Sequence, residues 1–447
     1  MKADVHIAWI LTRGSDRREW WRISLTALGA LLATGFALAA VTVAAVSGQV
    51  SIPYGHGLLN QPGERAGVVL TLLLLLVPVL GFLGQCARIG AVHRDRRMAG
   101  LRLAGASPAQ VRRISALESA FACLAGSAGA LAVFAAVLAG AGHMPPPAAW
   151  VAFMLVVLAV PVVAALVSAL ALRRVVASPL GWVRRVRPDS GRRTLLALLV
   201  PTALIAVALL VLADRNNRPG GVPVPFMVFA VVLLTGAGAV WLAGATASFM
   251  GRRLTLRAKS PAVLIAAGRL KDDPWAAART HAALLLVTVV GVGFVGVRQV
   301  LLDELHRRSG YTAEDLDFYT TGIDLAGTAV LVALVISLFG LAVGTAESIA
   351  TRRRGLAAQT AAGVPRVVLA RTLLLETALP MAPAVLVAGI GGMAVHIAYA
   401  TLVAPGSVPS MLPLLVPVLV YAACLLAAAT SLPLLRRTAH PAELRFA

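Results

Sequence analysis

The residues best placed to do work in this chain are arginines, a glycine and a glutamate that recur at one spacing. The segment from Arg96 to Glu118 reads RRMAGLRLAGASPAQVRRISALE, and a second segment beginning at Arg353 reads RRGLAAQTAAGVPRVVLARTLLLE. Gly105 precedes Glu118 by 13 residues, and Gly363 precedes Glu376 by 13 as well. Gly105 suits a left-handed helix stop, Ser107 an N-cap and Pro108 a first helical position. The spacing therefore predicts a short helix from about Arg94 to Ala104, a sharp turn and a second helix. Met98 and Leu101 would share one face, with Arg94, Arg97 and Arg102 beside them. Such a knob can dock in a groove of a cytoplasmic partner. Taken singly, each arginine is equally explained by the retention of positive charge in cytoplasmic loops. That explanation does not account for the same glycine, spacing and glutamate appearing twice.

Other chemistry is scarce. A phosphate-binding GxxxxGK[ST] loop needs a lysine after a glycine, and none of Lys2, Lys259 and Lys271 follows one. If ATP drives this chain, a separate subunit must hydrolyse it, and ATP and magnesium are bound there. Cys86, Cys123 and Cys424 fall in or at the edge of apolar runs, and the eight histidines form no HExxH pair. No bound cofactor, no metal site and no catalytic group are expected, so the chain is not read as an enzyme. Glu118 and Glu376 start two apolar runs at equivalent places, either paired with arginines or favoured by a helix N-terminus. Both roles are structural. His396 is a lone ionisable group inside an apolar run, so coupling to an ion gradient is disfavoured.

The elements that must position these residues are membrane spans. The chain has 447 residues, of which 59% are hydrophobic and 13% charged, against about 25% charged in an ordinary globular chain. Runs long enough to cross a bilayer lie near 24–46, 66–88, 115–139, 149–171, 194–213, 225–247, 279–301, 325–346, 373–399 and 411–433. Trp20, Trp21, Trp150 and Trp182 flank them as an interfacial belt would. With the N-terminus inside, only six of 40 basic residues fall outside: Arg65, Arg215, Arg218, Arg298, Arg307 and Arg308. Eight acidic residues share that side, so the whole net charge of +21 is cytoplasmic. Such a face serves orientation and contact with anionic lipids, and nucleic acid is not expected as a partner.

The repeat extends beyond the two segments. HIAWILTRGSDRREWWR, ending at Arg22, parallels VLIAAGRLKDDPWAAAR, ending at Arg279, and LRRVVASP from Leu172 parallels LRRTAHP from Leu435. Small-residue runs, GSAGA from Gly126 and GIGG from Gly389, fall in the third and ninth spans, where they suit close helix packing. The expected architecture is an all-α polytopic membrane protein of ten helices, with both termini inside. Residues 1–180 form one repeat with a coupling segment at 94–117. Residues 181–257 form a linker with a two-span hairpin, and 258–447 form a parallel repeat with its segment at 352–375. The external segment VRQVLLDELHRRSGYTAEDLD is expected to prolong the seventh span as a short stalk.

The pattern RR-x4-LR-x-x-GAS-x3-VRR-x4-E resembles that of FtsX-like permeases, the membrane subunits of MacB-type ABC systems. The ten-span arrangement is similar to the BceB-like branch, without its large external domain. The resemblance implies that each repeated segment is a coupling helix contacting an ABC ATPase subunit, two copies per permease chain. The residues carried over are Arg94, Arg97, Met98, Leu101, Arg102, Gly105 and Ser107 in the first copy and Arg354, Leu356, Gln359 and Gly363 in the second. Gln359 and Thr360 replace the Leu-Arg of the pattern, and Pro365 stands where Ser107 stands. A weaker contact is expected from the second copy. The implied function is export or force transmission across a bacterial cell membrane. A non-transporting signalling or hydrolase-activating complex and an ATP-independent carrier are the alternatives. Single cysteines placed within 94–113 are expected to be labelled by a membrane-impermeant maleimide only after the cytoplasmic side is opened; labelling of intact cells would reverse the topology.

Overall fold

The computed structural model describes residues 2–13, 17–51, 59–60, 62–86, 100–140, 142, 147–176, 224–307, 313–404, 406 and 408–438. Among the described residues all regular structure is helical, with no strand. The chain divides into two compact units, Met1–Arg185 and Val186–Ala447.

The first unit contains α1 (Lys2–Arg13), α2 (Arg17–Ala45), α3 (Pro62–Cys86), α4 (Pro108–Gly140) and α5 (Pro147–Val176). Three of these begin on a proline, whose missing N–H and fixed φ suit the first helical position. Helix α2 touches α3, α4 and α5, and α4 touches α1, α2 and α5. The α2–α4 seam is close because Gly126 of α4 faces the backbone of Ala27: a Cβ there would stand 2.0 Å from the Ala27 carbonyl oxygen. Deeper along the seam, the Thr34 hydroxyl donates to Ser127 Oγ at 2.9 Å, with both side chains buried. From α3, the Arg65 guanidinium donates to the Gly48 and Leu59 carbonyls.

The second unit contains α6 (Val224–Arg257), α7 (Pro261–Asp272), α8 (Pro274–Arg307), α9 (Ala313–Thr351), α10 (Arg353–Ala361), α11 (Arg366–Val403), a 3-10 turn (Leu412–Leu414), α12 (Leu415–Ala429) and α13 (Leu432–Thr438). Helix α8 is the centre: 61% of its apolar stretch is buried, against 22% for α9. It touches α6, α9, α11 and α12, while α7 lies against α6 and α11. Some contacts are common to both units: α1 lies on α4 as α7 lies on α11, and α2 touches α3, α4 and α5 as α8 touches α9, α11 and α12. The glycines of the GIGG run face three different neighbours. Gly389 meets Pro417 of α12, Gly391 meets Thr235 of α6, and Gly392 meets Val292 and the Val289 carbonyl of α8.

Seven helices among the described residues are long and apolar enough to cross a membrane, two in the first unit and five in the second. Shorter apolar stretches, Gly67–Leu80 in α3 and Ala149–Ala165 in α5, fall on the expected second and fourth spans. The expected fifth span, 194–213, and Trp182 lie outside the described residues. Of the linker expected at 181–257, residues 181–223 lie outside the described residues. Its described part, helix α6, is packed into the second unit: Val232, Ala239 and Ala243 belong to that unit's main apolar core. Its Gly236, Gly244 and Gly251, about two turns apart, face Leu286, Trp275 and the backbone of Lys271. The stalk reading of the segment near 302–324 is met by helix on both sides, since α8 runs to Arg307 and α9 starts at Ala313.

Where a glycine faces backbone, an added methyl must force the helices apart. Gly126→Ala and Gly392→Ala, the latter 2.6 Å from the Val289 carbonyl, are expected to lose about 1–3 kcal/mol of stability. Gly35→Ala and Gly238→Ala, which meet nothing within 4 Å, are expected to be neutral or to gain up to about 1 kcal/mol through helix propensity. Thermal unfolding in detergent separates the two pairs.

Candidate functional site

The turn at Gly105 is built from backbone hydrogen bonds. Ala106 N–H donates to the Leu101 carbonyl at 2.9 Å and Gly105 N–H to the Arg102 carbonyl at 3.1 Å. Gly105 has φ of 97°, the left-handed conformation that closes a Schellman motif. At the second turn, Val364 N–H donates to the Gln359 carbonyl and Gly363 N–H to the Thr360 carbonyl, both at 3.0 Å, with Gly363 at φ 89°. The two helix stops therefore share one construction.

The starts of the helices that follow differ. Ser107 Oγ accepts from Gln110 N–H at 3.2 Å, and Gln110 Oε1 accepts from Ser107 N–H at 2.8 Å. This is a capping box with Pro108 at the next position. Pro365 in the second unit has no side-chain cap, so α11 starts without those two bonds.

Each segment is seated on its own unit. Leu101 and Ala106 pack, with Leu117 and Phe121, against the buried Ala8, Val111 and Ile114, and the Trp9 ring meets Phe121 edge-on at 5.9 Å. Asp4 of α1 pairs with Arg113 at 3.4 Å. In the second unit, Leu356 is 7% exposed and packs with Ile349, Leu369 and Leu435. The apolar side chains read as a docking face thus hold each segment to the unit carrying it. What remains outward is Gly100, Leu103 (84% exposed), Ala104, Gly105 and Ser107 in the first unit, and Arg354, Gly355, Ala358 and the 361–363 turn in the second. Arg102 and Gln359 are half-buried. Arg94, Arg97 and Met98 lie outside the described residues.

Both glutamates are the eleventh residue of their helix, Glu118 in α4 and Glu376 in α11. That is about 15 Å along the axis, beyond the first turn where a helix dipole acts, so arginines must balance them. Glu118, 1% exposed, accepts from Arg22 Nη2 of α2. Glu376 accepts through both carboxylate oxygens from Arg352 Nη1, at 3.1 and 3.0 Å, and Arg269 of α7 approaches to 3.7 Å. Arg352 is the N-cap residue of α10, and its Nε and Nη2 donate to the carbonyl and hydroxyl of Ser348. One guanidinium therefore joins the end of α9, the start of α10 and the third span of the unit. Burial, with repulsion from Arg352, holds the Arg269 pKa below the usual arginine value.

Arg22, Arg269 and Arg352 do not stand out in the sequence, where they are three basic residues among 40. The available signal is position: Arg22 ends the amphipathic lead of the first repeat. Fold and sites together define an all-α, multi-pass membrane protein. Compared with known proteins, the chain matches no family model, no curated protein and no solved structure.

Breaking a buried ion pair on one side leaves the partner uncompensated. Arg22→Met is expected to cost about 3–5 kcal/mol, and the double variant Arg22→Met/Glu118→Leu to recover most of it. Arg352→Met is expected to cost less, because Glu376 is 16% exposed and keeps Arg269. Denaturation of these three purified variants against the wild-type protein checks both expectations.

Proposed function

We propose that this chain is the membrane subunit of an ABC transporter resembling the FtsX-like permeases. It would span a bacterial cell membrane ten times, with both termini in the cytoplasm. Its two repeated segments would be driven by two copies of a separate ATPase subunit, which binds the ATP and magnesium. The observation that carries this reading is the shared build of the turns at Gly105 and Gly363, each followed at 13 residues by an arginine-paired glutamate.

The seating of the segments supports a mechanical role. A push on α10 passes through Leu356 and Arg352 into the start of α11, and one on the 100–105 turn passes through Leu101 into α4. Closure of an ATPase dimer on the two segments would move two long helices, of 33 and 38 residues. At 1.5 Å per residue both exceed a bilayer core of about 30 Å, so their ends reach into water as levers. Export of a hydrophobic or peptide-like compound, or transmission of the motion alone, follows from this reading.

Co-expression with the cognate ATPase is expected to give a complex that survives purification in detergent. Arg102→Glu is expected to weaken it by about tenfold, comparable to the loss of a charge-assisted contact. Arg354→Glu is expected to weaken it less, since the second copy departs from the family pattern. An ATPase that neither co-purifies nor changes its turnover on reconstitution would falsify the proposal.

A further inference from the structure

The second unit contains a partly open cavity of about 150 Å³ with several polar side chains in its lining, framed by α7, α8, α9, α11 and α12. At about 30 Å³ per water, it is several times larger than one solvent molecule. It sits where the apolar stretches starting at Thr280 and ending at Thr351 and Leu435 meet, the depth at which lipid headgroups lie.

Its lining is divided by hydrogen-bonding capacity. Arg269, half exposed, and His281, 3% exposed, both line the cavity. Arg269 makes an ion pair at 3.7 Å, too long for a hydrogen bond,. His281 Nδ1 is buried with no hydrogen-bond partner among the described residues. Nearby, Arg352 is committed to Glu376 and Ser348. Asp273 and the hydroxyls of Thr280, Thr345 and Ser431 also line it. Those hydroxyls give their protons to the carbonyls of Ala276, Ala342 and Ala428, so they offer lone pairs to a ligand. The cavity thus presents donors and acceptors together, and its two arginines are matched by Glu376 and Asp273. A purely anionic group would upset that balance. A group carrying one negative and one positive charge, the positive end able to donate hydrogen bonds, preserves it.

We propose that this cavity binds the phosphoethanolamine headgroup of a zwitterionic phospholipid, its phosphate held by Arg269 and His281 and its ammonium by Asp273 and the three hydroxyls. The acyl chains run along the apolar helix faces. A choline headgroup has no N–H to donate, and a glycerol headgroup leaves a net negative charge, so both are disfavoured. The inference does not depend on the transporter reading.

The test uses the full-length chain, stripped of lipid in detergent and titrated with phosphatidylethanolamine, phosphatidylcholine or phosphatidylglycerol of the same chain length. Occupancy is read by native mass spectrometry. Wild-type protein is expected to retain phosphatidylethanolamine in preference to the other two. Arg269→Leu is expected to reduce that retention about tenfold, the effect of losing a charged hydrogen-bonding group. Thr345→Val, close in shape, is expected to reduce it several-fold while leaving the unfolding midpoint in place. Equal retention of the three lipids, or unchanged retention in both variants, overturns the site. Displacement of the lipid by free phosphoethanolamine at similar concentration overturns the lipid as its source and makes the ligand a soluble phosphoamine.

Discussion

A carboxylate held at the membrane boundary cannot be left alone, and this requirement organises both units. The cost of removing a charge from water is several kcal/mol even after relaxation. In the first unit Arg22 of the neighbouring helix meets it, in a buried ion pair between α2 and α4. In the second, two arginines from neighbouring elements, α7 and the α9–α10 corner, meet it. The carboxylate occupies the same turn of the helix in each unit, but its partners come from different elements. Glu118 fixes span to span. Glu376 also fixes the α9–α10 corner and the amphipathic helix to a span.

Close helix approach is the second requirement. Between helices in lipid, apolar contact brings little gain, because the tails are as apolar as the side chains; association rests on packing and on interhelical hydrogen bonds. The glycines therefore sit where backbones meet: Gly126 on Ala27, Gly392 on Val289 and Gly251 on Lys271. The seams they form carry the buried polar contacts, Arg22 with Glu118 and Thr34 with Ser127. Neither feature suffices separately. A short arginine-to-carboxylate bridge needs helices held close, and close helices with an unpaired carboxylate would be pushed apart by its hydration.

The sequence makes some of this legible and hides the rest for physical reasons. Helix stops at Gly105 and Gly363 are local events, decided by one residue without a Cβ and its neighbours, so the spacing alone predicts them. The capping box at Ser107 is equally local, and its absence at Pro365 is visible in the residue type. Apolar length marks the long spans in the same way. The partners of Glu118 and Glu376 are set by tertiary packing, and Arg22 and Glu118 are separated by 96 positions. The membership of α6 is similar: its hydrophobicity is that of any span, and only the glycine row at 236, 244 and 251 hints that another helix lies against it. The burial of Leu356 was hidden because a helix of nine residues presents an apolar side chain equally well to a partner or to its own bundle.

On the proposed transporter reading, the differences between the two segments bear on how each would pass force. A lever is only as stiff as its weakest joint. In the first unit the capping box locks the start of α4 to the turn, and a cap of this kind is worth about 1 kcal/mol. The second unit lacks that joint, and its turn offers Gln359 where the first offers Leu101. Its stiffness comes instead from Leu356 in an apolar seat and from Arg352, which clamps Ser348 and Glu376 at once. An ion pair of this sort is directional and partly open to water, with Arg352 19% exposed, whereas a backbone cap is internal to the turn. The first segment is therefore stiff at the turn itself, and the second is stiff only while its guanidinium stays in place. If both segments are driven by identical motors, the two halves will not respond identically, and the second is where an occupant of the neighbouring cavity can alter the response.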